Sequence, residues 1–243
     1  MVNLVKAVHS AKYKVVVAVD DPSFSLSSFS ELISSLGDSV VGFKVGLPYI
    51  MHYGVRQLKR VVEELPHIYY LADLKLADSA DIMVRAARVT RTAGFNGLVA
   101  HAVVGIAGAL DALAREVRSS NMDLVLQTTL VNPGSISMID RLLPEIFNVV
   151  NAIDPNGLIV PANKAYLIRE LRDRFGWRHV ILSSDIMVYN ILPGEGLCAG
   201  ADAEVVGRTL LTAPNPRQAL EDLVAKQEEV LRKVGQSCLS RSR

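Results

Sequence analysis

The chain has 243 residues, half of them hydrophobic, with 26 lysines and arginines against 25 aspartates and glutamates. That length and apolar content suit one barrel-sized core better than two small ones. A formal charge of +1 offers no bulk attraction to nucleic acid or to an anionic membrane, and no apolar run approaches the roughly 18 residues a membrane helix needs.

The two cysteines, Cys198 and Cys238, lie far from any metal-type spacing and suggest no disulfide framework. Met1 to His9 lacks the apolar core of a signal peptide. Together these features read as a soluble protein of a reducing cytoplasm.

Lys14 to Asp20 is a β-branched run ending in an acid, which predicts a buried parallel strand. Phe24 to Leu36 carries apolar residues at helical spacing and is closed by Gly37. Val40 to Gly46 is a second strand, charged only at Lys44. Pro48 to Leu65 reads as a helix with proline in its first turn. Ile68 to Tyr70 leads into a third strand, Leu71-Ala72-Asp73-Leu74-Lys75-Leu76-Ala77-Asp78, and Ser79 to Thr92 follows as a helix.

The pattern then continues. Gly97 to Val103 is a strand with His101 in it, and Ile106 to Val117 a helix. Asp123 to Leu130 is the fifth strand, stopped at Asn132-Pro133-Gly134. Ser135 to Val150 reads as a helix interrupted by Pro144. Gly157 to Val160, His179 to Asp185 and Ala201 to Arg208 complete the strands. Lys164 to Phe175 and Pro216 to Val234 complete the helices, and residues 235–243 read as a polar, frayed tail.

Strand and helix alternate about eight times with a unit near 25–30 residues, the pattern of a parallel sheet with crossover helices. The expected fold is a single-domain (β/α)8 TIM barrel over residues 1–243. An open doubly wound sheet is the alternative, weakened by the lack of a Gly-x-Gly-x-x-Gly turn after the first strand.

The charges gain meaning from this fold. Side chains at the C-terminal ends of barrel strands share one face, where active sites lie. Asp20, Lys44, Asp73, Lys75 and His101 fall there, from four different strands. On one strand Asp73 and Lys75 point the same way. Their spacing to Asp78 also describes an ordinary ion pair at a strand end. Gathered with the others, however, the two suit a pre-organised electrostatic site. At the eighth strand Gly207 permits close backbone approach and Arg208 can fork onto phosphate oxygens. His101 reads more simply as a hydrogen-bonded core histidine. Lys164 is open between the mouth and solvent. No metal cluster is readable.

Taken together, Ala18-Val19-Asp20, Phe43-Lys44-Val45-Gly46, Ala72 to Asp78, His101, Asn132-Pro133-Gly134 and Val206-Gly207-Arg208 resemble the orotidine 5′-phosphate decarboxylases of archaeal and bacterial type, over nearly the whole chain. The resemblance implies a cofactor-free, metal-free lyase that converts orotidine 5′-phosphate to uridine 5′-phosphate and CO2 in pyrimidine biosynthesis. Lys75 would then protonate the carbon that loses CO2, and Asp73 would sit beside the departing carboxylate. Lys44 would hold Asp73 and contact the ribose, Asp20 would bind a ribose hydroxyl, and Gly207 and Arg208 would take the phosphate. Asp78 would reach into a neighbouring subunit's site, which implies a homodimer. Related hexulose-phosphate synthases and keto-gulonate-phosphate decarboxylases share the third-strand motif but typically carry Glu where Lys44 stands.

Three departures bear on substrate grip. Ile82 stands in place of a Thr, and Val131 in place of a Ser that helps read the pyrimidine. The loop after the seventh strand, Ser184 to Asn190, lacks the family's glycines and bears Asp185, leaving Tyr189 or Asn190 as the replacement for a Gln. A divergent active enzyme fits these changes. A related sugar-phosphate lyase and a catalytically impaired phosphate-binding relative are the alternatives.

Overall fold

Runs such as Val15-Val16-Val17-Ala18-Val19 have no polar face because both faces of each strand are covered, one by helices and the other by the barrel interior. The structure, a computed structural model, describes residues 2–188 and 190–239, with side chains through residue 233. Eight parallel strands close in sequence order: β1 Val15–Val19, β2 Gly42–Gly46, β3 Tyr70–Leu76, β4 Gly97–His101, β5 Asp123–Gln127, β6 Gly157–Pro161, β7 Val180–Ser184 and β8 Ala203–Val206, with β8 pairing back onto β1. The barrel expectation holds.

Period-two alternation divides the core into two shells. Val16, Leu71, Val99, Val125, Ile159 and Leu182 fill the interior, while Val17, Phe43, Tyr70, Leu98 and Leu124 pack outward against helices. The helices are α1 Leu4–Ser10, α2 Leu26–Leu36, α3 Leu47–Glu64, α4 Ala80–Thr92, α5 Asp111–Ser119, α6 Pro133–Ser137, α7 Leu143–Ile153, α8 Ala165–Phe175, α9 Glu195–Cys198, α10 Arg208–Leu211 and α11 Pro216–Leu239.

Several elements differ from the sequence reading. The seven-residue α1 was not foreseen, being too short to show a period. It closes the barrel floor with Leu4, Ala7 and Val8, and Asp123 Oδ2 accepts from the Leu4 amide at 2.6 Å. The helix expected from Ile106 starts only at Asp111, because Ala107 is extended and Gly108 turns to a φ of 71°. Pro144 does not interrupt a helix. It sits in the first turn of α7, where its missing N–H has no helical partner to lose. The closing helix runs to Leu239, past the expected end at Val234, and residues 240–243 of the expected tail lie outside the described residues. Cys198, which ends α9, is disulfide-bonded, a correction to the expectation of no disulfide. The side chain of Cys238 lies outside the described residues.

Candidate active site

The strands place four charges in contact at their C-terminal ends. Lys44 Nζ donates to Asp73 Oδ2 at 2.6 Å and to Asp20 Oδ1 at 3.2 Å. Lys75 Nζ donates to the same Asp73 oxygen at 2.7 Å. Asp73 and Lys44 are buried, Asp20 is half exposed, and Lys75 opens to the mouth with 43% of its side chain accessible. Two carboxylates and two ammoniums sum to zero charge, which is what lets such a cluster persist at low dielectric.

Protonation states follow from these contacts. Burial pushes the Asp73 carboxyl upward, but the ammoniums of Lys44 and Lys75 overcome it and hold the group below the ordinary carboxylate range. Burial pulls Lys44 down, and Asp73 and Asp20 more than reverse it. Both residues are therefore ionised at neutral pH. Asp73 Oδ1 is buried without a hydrogen-bond partner among the described residues.

Alternation along β3 brings Asp73 and Lys75 together, though not on a regular strand. The register to β4 jumps from Ala72↔Leu98 to Leu76↔Ala100, and Lys75 adopts a φ of 43°. A non-glycine residue held there costs roughly 1–3 kcal/mol, strain of a kind that concentrates at functional sites. The bulge re-aims the ammonium toward Asp73 while leaving it accessible.

The other sequence candidates are more scattered. Asp78 lies just beyond β3, is exposed, and accepts from the Ser79 amide at 2.6 Å, so within this chain it does not join the cluster. Gly207 and Arg208 stand at the exit of β8 on the same face. A Cβ on Gly207 would come within 3.1 Å of the Ala18 carbonyl, so glycine keeps this corner tight. His101 is buried, but its Nδ1 has no partner among the described residues, unlike the hydrogen-bonded core histidine expected. Burial and then the Lys75 charge disfavour its protonation, so it is neutral.

The loop after β7 keeps a glycine-like backbone without glycine: Asp185, Met187 and Asn190 have φ values of 64°, 68° and 61°. Asp185 accepts from Ser184 Oγ at 2.7 Å. Tyr189, considered above as a Gln replacement, lies outside the described residues.

One feature escaped the sequence reading, and another was left open by it. Gln127 ends β5 pointing inward, buried beside His101. Lys164 faces neither the mouth nor solvent. Its ammonium is buried and donates to Asp140 at 2.7 Å and to Thr129 Oγ1 and the Leu130 carbonyl at 2.8 Å each. Among the described residues no three His, Cys, Asp or Glu side chains group as a metal site, and no helix is long and apolar enough to cross a membrane.

A closed barrel carries a neutral, partly buried Asp–Lys–Asp–Lys array at its mouth, the end of this fold where barrel enzymes hold their active sites. The chain belongs to the orotidine 5′-phosphate decarboxylase / HUMPS family, whose model matches residues 13–223. It is 30% identical over 212 residues to an orotidine 5′-phosphate decarboxylase of Saccharolobus solfataricus, covering 87% of this chain and 90% of the relative. It is 32% identical over 220 residues to one of Aeropyrum pernix, covering 88% of each. Its fold superposes on the crystal structure of the Sulfolobus solfataricus orotidine 5′-monophosphate decarboxylase with a TM-score of 0.81 at 28% identity, covering 90% of this chain and 99% of that one.

Proposed function

We propose that this protein decarboxylates orotidine 5′-phosphate to uridine 5′-phosphate and CO2, without a cofactor. The observation that carries the reading is Asp73, a carboxylate held ionised by two lysines, one of which opens to the mouth. A substrate carboxylate about 4 Å from Asp73 would be repelled by on the order of 4 kcal/mol at an effective dielectric of 20. Breaking the ring–carboxylate bond releases CO2 and leaves the electron pair on the ring carbon. The Lys75 ammonium stabilises that carbanion and then gives it a proton. Lys44 orients Asp73, and its contact with Asp20 supports their shared role at the ribose. Gly207 and Arg208 supply the phosphate contact, and the binding energy there offsets the strained approach at the reacting carbon. Lys44, where the related sugar-phosphate lyases typically carry Glu, favours the nucleotide substrate. The intact array favours an active enzyme over an impaired relative.

A homodimer that shares Asp78 is part of the reading. Large apolar side chains stand exposed on elements that follow the C-terminal ends of the strands, among them Met51, Ile82, Ile136 and Met138. Exposed side chains of this kind suit a covering second copy. The charged nucleotide substrate, which does not cross bilayers, supports a cytoplasmic site of action.

The test is the ultraviolet absorbance of orotidine 5′-phosphate, in chelator, with the wild type and with Lys75→Ala. Loss of the substrate band with the wild type alone is expected. No conversion by either protein at high enzyme concentration refutes the assignment.

A further inference from the structure

Gln127 is a buried polar side chain at the C-terminal end of β5. On β5 the interior positions alternate as Asp123, Val125 and Gln127. Val125 belongs to the interior cluster, and Leu124 and Leu126 to the outer shell. Gln127 therefore points into the barrel at its C-terminal end, where its strand partner across β4 is His101. Both side chains are buried, and His101 carries an unpartnered ring nitrogen. Leu76 on β3 pairs with Ala100, the residue before His101, so the pair lies at the same end of the barrel as the reacting cluster.

The amide of Gln127 is also held from behind. Its Nε2 donates to the Thr129 carbonyl at 2.6 Å. The Thr129 hydroxyl accepts from the buried Lys164 ammonium at 2.8 Å, and the same ammonium fixes the next carbonyl, Leu130, at 2.8 Å. Thr129 Oγ1 also donates to Asp140, which pairs with Lys164. A buried ammonium–carboxylate pair adds little net stability, because desolvation consumes most of the attraction. Here it immobilises the one stretch of backbone that orients Gln127.

The order of groups around the mouth supplies the role. Arg208 follows β8, Asp20 follows β1, Lys44 is on β2, and Asp73 and Lys75 are on β3. A nucleotide with its phosphate at β8, its ribose at β1 and β2 and its reacting carbon at β3 extends the far edge of its base toward β4 and β5. A pyrimidine presents an imide there, an N–H flanked by carbonyls. A carboxamide, with both donors and an acceptor, is complementary to that edge. We infer that Gln127 is a base-reading residue of this site, contacting the pyrimidine imide edge in an orientation set by Thr129 and Lys164. The inference rests on the nucleotide reading above.

Affinities of uridine 5′-phosphate and ribose 5-phosphate, measured by calorimetry on the wild type, Gln127→Leu and Gln127→Met, test it. Both variants are close to isosteric with glutamine, and they remove its amide. The expected result is about a tenfold or greater loss for uridine 5′-phosphate with ribose 5-phosphate unchanged. Unchanged affinity for both ligands in both variants overturns the inference, as does an equal loss for both, which marks a merely structural role. A wild type that decarboxylates orotidine 5′-phosphate while the variants keep wild-type base preference sinks this inference alone. A wild type that neither turns over nor binds either nucleotide sinks the functional reading and this inference with it.

Discussion

Replacing Lys164 by methionine keeps most of the side-chain stem and removes the ammonium. In the native protein that ammonium meets Asp140 Oδ2 at 2.7 Å, and the two side chains are only 5% and 12% exposed. After the replacement Asp140 keeps the hydroxyls of Thr129 and Ser135 but loses its only described countercharge. Stranding one member of a buried pair costs about 3–5 kcal/mol. The two remaining hydroxyl donors and the slight exposure of Asp140 put the expected loss near the lower end, about 3 kcal/mol. For a chain of this size each kcal/mol moves Tm by about 2–4 °C, so a fall of about 6–12 °C is expected. The double variant Lys164→Met/Asp140→Leu removes both charges and should recover to within about 1 kcal/mol of wild type, because neutral replacement of a buried pair is often tolerated. Urea unfolding followed by circular dichroism, on the wild type, both single variants and the double variant, measures the cycle. A single variant within about 0.5 kcal/mol of wild type, or a double variant as unstable as the sum of its singles, refutes the reasoning.

Three further outcomes are expected. A Cβ on Gly46 would lie 1.8 Å from Asp20 Oδ1, and Asp20 is exposed enough to swing away. Gly46→Ala should therefore raise KM about tenfold while moving Tm by no more than about 3 °C, as steady-state kinetics beside a thermal melt will show. Asp73 has a depressed folded-state pKa, so its charge contributes stability that is present above the unfolded value near 3.9 and is lost as pH falls through the folded one. The stability gap between wild type and Asp73→Asn should thus narrow below about pH 4; a gap constant from pH 7 to pH 3 would contradict the assigned charge state. If Asp78 completes a partner's site, Lys75→Ala and Asp78→Ala proteins, each inactive alone, should regain up to about a quarter of wild-type activity when refolded together, through the one mixed site that keeps both residues. Sedimentation of a monomer at working concentration would count against the shared site.

The sequence by itself determined the barrel, the order of its strands and half of the charged cluster. Strands buried on both faces must be continuous apolar runs, and eight such runs separated by helical periods leave few other topologies. Asp73 and Lys75 are two residues apart, so strand alternation put them on one side, and the bulge in β3 set the final aim of the ammonium. The contact of Lys44 with Asp73 spans 29 residues and became readable only through the fold hypothesis.

What the tertiary structure alone decided lies where no local period operates. The short α1 has too few residues to display one, yet barrel closure requires a floor. The Lys164–Asp140 pair joins two short 3-10 turns across 24 residues. Gln127 ends its strand like any surface glutamine, and its burial and its place beside His101 appear only in the closed barrel. The loop at Asp185, Met187 and Asn190 lacks glycine and still takes a glycine-like path. Sequence carries local preferences of roughly a kcal/mol per residue, and long-range packing overrules them wherever the closed barrel fixes both ends of a segment.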